Sequence, residues 1–254
     1  LAERESDSMR VALKVMLARV AVDDIARGKF SKEISLLKEL RHRHIVELFD
    51  SGSAGGAFYF VMEHCPGGSV AAYMDANGGR LGFAIALPIM IQATEGLAFA
   101  HEKGVVHRDL KPSNILLSGT PASPVAKIAD MGLAKHFDKA GFSGMTVTGA
   151  YAGTPFFMPK EQLTNFKYVK PVTDVWSLGA TFYCMLTGLT PRDYPKGGDP
   201  MEVILRGEIV PVGKRDPTIP RGLATVLDKA IQSNPKDRYQ DAAEMLSALK
   251  KASI

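Results

Sequence analysis

The stretch VVHRDLKPSNILL, residues 105–117, decides how the rest of this chain is interpreted. It places a histidine, an arginine, an aspartate, a lysine and an asparagine between apolar flanks, VV and ILL, that are typical of buried strand ends. Charged side chains are almost never fully buried unless they are paired. The stretch is therefore either a turn that carries a few satisfied ion pairs or an active site.

The bulk composition indicates a globular chain without a nucleic-acid partner. The 254 residues are 46% hydrophobic and 23% charged, which is close to globular averages and suits one large domain or two coupled lobes. The net charge of +4 is small. Neither a basic run nor a series of stacking aromatics accompanies it, so no nucleic-acid binding is expected.

The cysteines and the termini bear on location. Cys65 and Cys184 are the only cysteines, which supports neither a disulfide framework nor a zinc site and suits a reducing compartment. No run approaches the ~18–20 apolar residues of a membrane span and no signal peptide opens the chain, so no membrane contact is predicted for this segment. Because the chain starts at Leu1, it is expected to be a segment of a longer protein. We expect a cytoplasmic protein or the cytoplasmic domain of a larger, membrane-anchored one.

Periodicity divides the chain into a strand-rich first part and a helical second part. Strands are predicted at 9–16 and on either side of a Gly-rich turn at 52–56, with a helix at 30–40 between them. Later helices are predicted at 87–103 and 173–187, with two amphipathic helices within 222–251. The segment 130–161 has little periodicity, and a loop of that length inside a compact domain is usually functional or disordered.

Seven short motifs follow one another along nearly the whole chain. They are VALK, a helix glutamate at Glu33, HRDLKPSN, DMG, GTPFFMPKE, DVWSLG and an arginine in KDRY. Together they resemble the signature set of the eukaryotic-type protein kinase family. The residue patterns of the opening and closing segments are most similar to those of bacterial serine/threonine kinases.

The resemblance implies a role for each polar residue of the central stretch. Asp109 is expected to accept the proton of a substrate hydroxyl, and Lys111 to neutralise the transferring phosphoryl group. Asn114 and Asp130 supply hard oxygen ligands that suit magnesium. The cofactors implied are thus ATP and Mg²⁺. Lys14 is expected to contact the earlier phosphates while Glu33 holds it.

The resemblance assigns further residues to the nucleotide pocket, the substrate site and the scaffold. The adenine is expected between Ala12 and Leu116, with Met62 before the hinge and backbone groups of Glu63 and Cys65 bonded to the base. Thr154, close to Lys111 and Asp109, indicates a site for serine or threonine hydroxyls. Structural roles are expected for Glu161, Asp174 and Arg238, with Glu161 and Arg238 forming a buried pair. Arg108 suggests control by phosphorylation, for which the candidate sites are Ser143, Thr146 and Thr148.

Departures from the family pattern qualify the interpretation. Met131 replaces the usual phenylalanine but is apolar and flexible enough to fill the same space. MPKE replaces the usual small residue and proline before Glu161, so the local turn is expected to differ. The Gly-rich loop and first strand should precede VALK and are absent from this chain, so the segment alone is expected to bind ATP weakly and to be poorly active.

The expected fold is an α+β, two-lobed protein-kinase fold. Its predicted parts are a small β-rich lobe at 1–63, lacking the first strand, a hinge at 64–68 and a large, mainly helical lobe at 69–254. The expected function is transfer of the ATP γ-phosphate to serine or threonine hydroxyls of protein substrates. A pseudokinase or scaffold, an inactive fragment of an active kinase, and a kinase-fold enzyme acting on small molecules are the alternatives. The oligomeric state is not predicted.

Overall fold

A computed structural model of the chain describes residues 1–5, 7–17, 34, 37–54, 57–120, 123–131, 155–165 and 169–252. The first part forms a four-stranded antiparallel sheet of β1 (Ala2–Arg4), β2 (Met9–Leu17), β3 (Leu48–Ala54) and β4 (Ala57–Glu63), in the order β1-β2-β4-β3. The strands predicted at 9–16 and around the Gly-rich turn are confirmed. The sheet sets the register in which Ala12 pairs with Met62 and Lys14 with Phe60.

The alternation of β2 divides its side chains between the two faces of the sheet. Leu13 and Val15 are exposed on one face, whereas Lys14 lies on the other. The Phe60 side chain, which is opposite Lys14, is fully buried. The alternation therefore directs Lys14 toward the interior side of the sheet.

The helix predicted at 30–40 lies mostly outside the described residues. Its described apolar positions, Ile34, Leu37 and Leu40, are buried in the core, as the helical spacing predicted. The chain then runs through His44 and Ile45, where Ile45 forms a parallel bridge with Ile128. This bridge joins the connection before β3 to the second part of the chain.

The second part is mainly helical, and its described residues include a β-hairpin. Its helices are α1 (Val70–Ala76), α2 (Phe83–Glu102), α3 (Lys160–Thr164), α4 (Pro171–Thr187), α5 (Pro200–Arg206), α6 (Val212–Arg215), α7 (Arg221–Ala230) and α8 (Ala242–Ala252). The hairpin pairs β5 (Ile115–Thr120) with β6 (Ser123–Ile128). Short 3-10 helices occur at Pro112–Asn114, Pro155–Phe157 and Pro235–Asp237.

Helix α4 is the centre of the helical part. Pro171 occupies its first turn, where the missing N–H costs no hydrogen bond, and Gly188 ends it in the left-handed conformation with φ of 73°. Its residues from Val172 to Tyr183 are all buried, and the Trp176 indole donates to the carbonyl of Ile231 at 3.0 Å. A helix buried nearly all round, as the sequence predicted, gives the surrounding elements a fixed support.

Helix α2 begins earlier than the sequence indicated. It starts at Phe83 rather than at residue 87 and contains Pro88 beyond its first turn, where proline cannot donate the usual helical hydrogen bond. By length and composition it is the one helix among the described residues that could cross a membrane, although the sequence predicted no such span. One face of it is buried, however, and it packs against α8, α4 and β6 as a core helix.

Candidate active site

The segment 107–114 brings the predicted catalytic side chains together. The side chain of Asp109 accepts hydrogen bonds from Lys111 Nζ at 2.8 Å and from Asn114 Nδ2 at 3.0 Å, both at Oδ2. Asn114 Nδ2 also donates to the Asp109 carbonyl at 2.8 Å. These bonds leave the second carboxylate oxygen, Oδ1, without a bond to Lys111 or Asn114. A carboxylate oriented in this way can accept a proton from a hydroxyl.

Asn114 and Asp130 are brought close together by a backbone hydrogen bond between Asn114 and the residue before Asp130. The N–H of Ala129, next to Asp130, donates to the Asn114 carbonyl at 2.9 Å. Since Asn114 uses Nδ2 to hold Asp109, its Oδ1 is the atom left for a metal. An amide oxygen and a carboxylate are hard ligands of the kind that Mg²⁺ takes from proteins when phosphates and water complete its shell. The residues present therefore fit a magnesium ion, and the described residues hold no cluster of three or more His, Cys, Asp or Glu that would suit another metal better.

Lys14 reaches across from the sheet to Asp130. Its Nζ lies 2.7 Å from Asp130 Oδ2, and both side chains are partly exposed. Glu33, the predicted partner of Lys14, lies outside the described residues. Lys14, which is expected to bind the phosphates of ATP, therefore contacts Asp130, which is expected to bind the metal.

Asp174 anchors the catalytic segment to helix α4. It is fully buried and accepts the backbone N–H groups of His107 at 2.7 Å and Arg108 at 2.8 Å. His101 Nε2 lies 3.0 Å from the same carboxylate, while His101 Nδ1 accepts the N–H of Ala242. The geometry therefore assigns Nε2–H of His101 as the hydrogen-bond donor to Asp174 and Nδ1 as the acceptor.

Glu161 and Arg238 form the pair that the sequence predicted. Arg238 is almost fully buried and contacts both oxygens of Glu161, with Nη1–Oε1 of 2.5 Å and Nη2–Oε2 of 3.1 Å. Its remaining N–H groups donate to the carbonyls of Gln232, Ser233 and Val172. This pair fixes helix α3 against the C-terminal helices.

The residues assigned to the adenine pocket lie where the sheet meets the helical part. Ala12 and Met62 are opposite each other on β2 and β4, and Leu116 on β5 forms a bridge with Ser69. The Glu63 carboxylate is 2.9 Å from Lys127 Nζ on β6, so an ion pair connects the two parts beside the predicted hinge. The Glu63 N–H is already bonded to the Glu47 carbonyl.

Cys65 follows in the same connection and is buried. Burial raises the pKa of its thiol to about 11, so the thiol stays protonated at neutral pH. That its backbone, rather than its side chain, faces a base stays a prediction.

Several predicted residues lie outside the described part of the chain. They are Glu33, Thr154, Ser143, Thr146 and Thr148. Met131, which replaces the usual phenylalanine after Asp130, is described and lies buried in the core.

Comparison with known proteins identifies the family to which the chain belongs. The family model described as protein kinase domain matches residues 1–249. The chain belongs to the protein kinase family. The resemblance drawn from the seven motifs and the two-lobed fold are thereby confirmed.

Relatives of this kinase domain include bacterial serine/threonine-protein kinases. It is 35% identical over 246 residues to PknB of Mycobacterium leprae, covering 94% of this chain and 38% of that protein. It is 30% identical over 251 residues to pkn2 of Myxococcus xanthus, covering 98% of this chain and 30% of that protein. The chain therefore spans only about a third of the length of these relatives.

Solved structures of kinases are similar to this domain over nearly its whole length. The crystal structure of Rad53 residues 1–466 in complex with AMP-PNP has a TM-score of 0.76 and 25% identity, covering 96% of this chain and 58% of that one. The crystal structure of the PknI kinase domain of Mycobacterium tuberculosis has a TM-score of 0.72 and 25% identity, covering 98% of this chain and 88% of that one.

The kinase domain contains buried polar residues that the motifs did not reveal. Gln162 on α3 bonds to the Arg108 carbonyl, His101 on α2 bonds to Asp174, and Arg192 stacks its guanidinium over the Trp176 ring at 4.5 Å. Burial lowers the pKa of Arg192, and its Nη1 donates to the Met158 carbonyl. Only the position of Gln162 directly after Glu161 could have drawn attention to it, because the other contacts join residues far apart in sequence.

Proposed function

We propose that this chain is the catalytic domain of a serine/threonine protein kinase that transfers the γ-phosphate of ATP to hydroxyls of protein substrates. The observation that carries the proposal is the Asp109 carboxylate held by Lys111 and Asn114. The adjacent pair of Lys14 and Asp130 supports it. We propose a small lobe at 1–63, a hinge at 64–68 and a large lobe at 69–254.

The proposed mechanism assigns one task to each side chain. Asp109 orients the substrate hydroxyl and accepts its proton as the oxygen attacks the γ-phosphorus. Lys111, which already contacts Asp109, is a compact cation at the point where charge builds up on the phosphoryl oxygens. Lys14 binds the earlier phosphates of ATP.

A magnesium ion is the implied cofactor, with Asn114 and Asp130 as its protein ligands. When bound, it would neutralise negative charge on the phosphate oxygens. Binding of the ion by Asp130 would compete with the contact between Asp130 and Lys14, and Lys14 would then be available to the phosphates. Ala12, Met62, Glu63, Cys65 and Leu116 are proposed to surround the adenine.

Substrate class, location and regulation are part of the same proposal. Thr154 and Lys111 would shape a shallow site for a serine or threonine hydroxyl on a protein located in the cytoplasm. Phosphorylation at Ser143, Thr146 or Thr148 would raise activity through contact with Arg108, since guanidinium and phosphate groups form strong charge-assisted hydrogen bonds. Peptide mapping after incubation with ATP should find phosphate within 143–148. Its absence there in an active enzyme would contradict this regulation.

The function is tested with the full-length protein, including any sequence that flanks residues 1–254. Incubation with γ-labelled ATP, Mg²⁺ and a mixture of protein substrates should label serine and threonine, as judged by phosphoamino-acid analysis. Labelling of tyrosine alone, or transfer only to small molecules, would contradict the substrate class. ATP binding without any transfer would favour the pseudokinase alternative.

A further inference from the structure

The peptide group between Arg108 and Asp109 is held at both of its polar atoms by side chains. Its carbonyl oxygen accepts Gln162 Nε2 at 2.6 Å, and its N–H, which belongs to Asp109, donates to His107 Nδ1 at 3.2 Å. A peptide plane whose oxygen and hydrogen are both bonded cannot rotate freely. The direction in which the Asp109 side chain leaves the backbone is therefore fixed.

This peptide group needs such support because the backbone before it is strained. Arg108 has a φ of 73°, in the left-handed region that residues other than glycine rarely adopt. Strained backbone at a functional site persists only where the surroundings hold it. Asp174 holds the N–H of Arg108, and Gln162 holds its carbonyl.

The surroundings of Gln162 connect this bond to another part of the fold. Gln162 is only 4% exposed and lies on α3 directly after Glu161, which Arg238 anchors. Its Oε1 is buried and has no hydrogen-bond partner in the part of the chain that the structure describes. Leaving a buried acceptor unpaired is unfavourable. The bond from Nε2 to the Arg108 carbonyl is thus the contact that accounts for an amide at this position.

We propose that Gln162 is a positioning residue for catalysis: it fixes the Arg108–Asp109 peptide and thereby the orientation of the Asp109 carboxylate. This inference rests on the proposed kinase function. The side-chain hydrogen bond of Gln162 goes to the Arg108 carbonyl and not to a residue assigned to ATP, so its loss should affect the chemical step and leave nucleotide binding intact. It also makes the geometry of Asp109 depend on the placement of helix α3.

Steady-state kinetics of variants of the full-length protein test the proposal. Gln162→Met keeps the length of the side chain and removes the donor. We expect kcat to fall about 10- to 100-fold, since small misplacements of a catalytic group have effects of that size, while KM for ATP changes less than about twofold. The matched control is Gln232→Met, because Gln232 Nε2 also donates to a backbone carbonyl, that of Asp228, but at an exposed position. This control should keep the wild-type kcat.

A second variant separates positioning from general loss of structure. In Gln162→Glu, the neutral acid can donate to the Arg108 carbonyl, whereas the ionised carboxylate repels it. The ratio of its kcat to that of the wild type should therefore rise as the pH is lowered from about 8 to about 6, because protonation restores the donor and burial favours the neutral form of a carboxyl group. Gln162→Met should show no such rise.

The outcomes distinguish this inference from the proposed function. Wild-type kcat in Gln162→Met, in a protein that transfers phosphate, would overturn the positioning role and leave the kinase function standing. If the wild type transfers no phosphate, the kinase function fails. In that case, amide hydrogen exchange tests whether Gln162 fixes the Arg108–Asp109 peptide. Faster exchange of residues 107–110 in Gln162→Met, with helix α4 unchanged, supports the fixed peptide, and unchanged exchange at 107–110 overturns it.

Discussion

Arg108 and Asp130 both have left-handed backbones, with φ values of 73° and 60°. Such conformations cost on the order of 1–3 kcal/mol each for residues other than glycine. The folded chain offsets this cost with directed contacts: Asp174 and Gln162 hold Arg108, and Lys14 contacts Asp130. At the scale of single residues, the site is therefore kept in place by a few long-range polar bonds.

His44 gives a prediction about the pH dependence of stability. It is fully buried, its Nδ1 bonds to the Ala126 carbonyl at 2.9 Å, and its Nε2 lies 3.5 Å from Glu95. Burial lowers the pKa of His44 from its ordinary 6.5, although the hydrogen bond to the Ala126 carbonyl and the charge of Glu95 act in the opposite direction. The unfolded chain therefore binds this proton more readily, and the free energy of unfolding should decrease as the pH falls through about 6.5.

Urea unfolding of the wild type and of His44→Asn between about pH 7.5 and about pH 5.5 measures this effect. The amide can still donate to Ala126 but does not titrate, so the loss of stability on acidification should be smaller in the variant. An equal or steeper loss in His44→Asn would show that His44 does not cause it.

At the scale of elements, the ion pair between Glu161 and Arg238 joins helix α3 to the C-terminal part. Arg238→Met should lower the free energy of unfolding by about 3–5 kcal/mol, because it leaves the Glu161 carboxylate without its partner. The exposed pair of Arg206 and Glu202 is the comparison, and Arg206→Ala should cost about 0–1 kcal/mol. Chemical denaturation measures both, and similar losses in the two variants would contradict the assigned anchor role.

Helix α2 packs closely against the connection before β3 at Gly96. A Cβ atom at Gly96 would overlap the backbone carbonyl of His44. Gly96→Ala should therefore destabilise the fold by about 1–3 kcal/mol, even though alanine favours a helix by about 1 kcal/mol. The control is Gly222→Ala on α7, whose Cβ would lie 3.5 Å from that of Ala252 and which should be stabilising by about 0.5–1 kcal/mol. Stabilisation by both substitutions, measured as thermal midpoints, would contradict the close packing.

Most elements could be predicted from the sequence because their periodicity and end residues are local. The strand at 9–16 and the helix that ends at Gly188 are found almost where the pattern indicated. The predicted start of α2 is four residues too late, because a proline is expected in the first turn of a helix and Pro88 instead lies beyond it. Local rules do not determine how far a helix extends before a proline.

At the scale of the whole molecule, the order of the motifs predicted the fold and the catalytic loop. The contacts that support the loop were not predictable in the same way. His101 and Asp174 are 73 residues apart, and Gln162 and Arg108 are 54 residues apart, so no local spacing signals them. They arise from packing of helices α2, α3 and α4 around the loop, which only the structure reveals.

In the proposed mechanism, Asp109 is the group through which the folded domain performs phosphoryl transfer. The most direct measurement is transfer from γ-labelled ATP by full-length wild type and Asp109→Asn, with Mg²⁺·ATP binding measured on the same samples. The asparagine keeps the size of the side chain but cannot accept the hydroxyl proton, so transfer should fall about 100-fold or more while the Kd for ATP stays within about threefold. Transfer that is unaffected by Asp109→Asn would contradict the account.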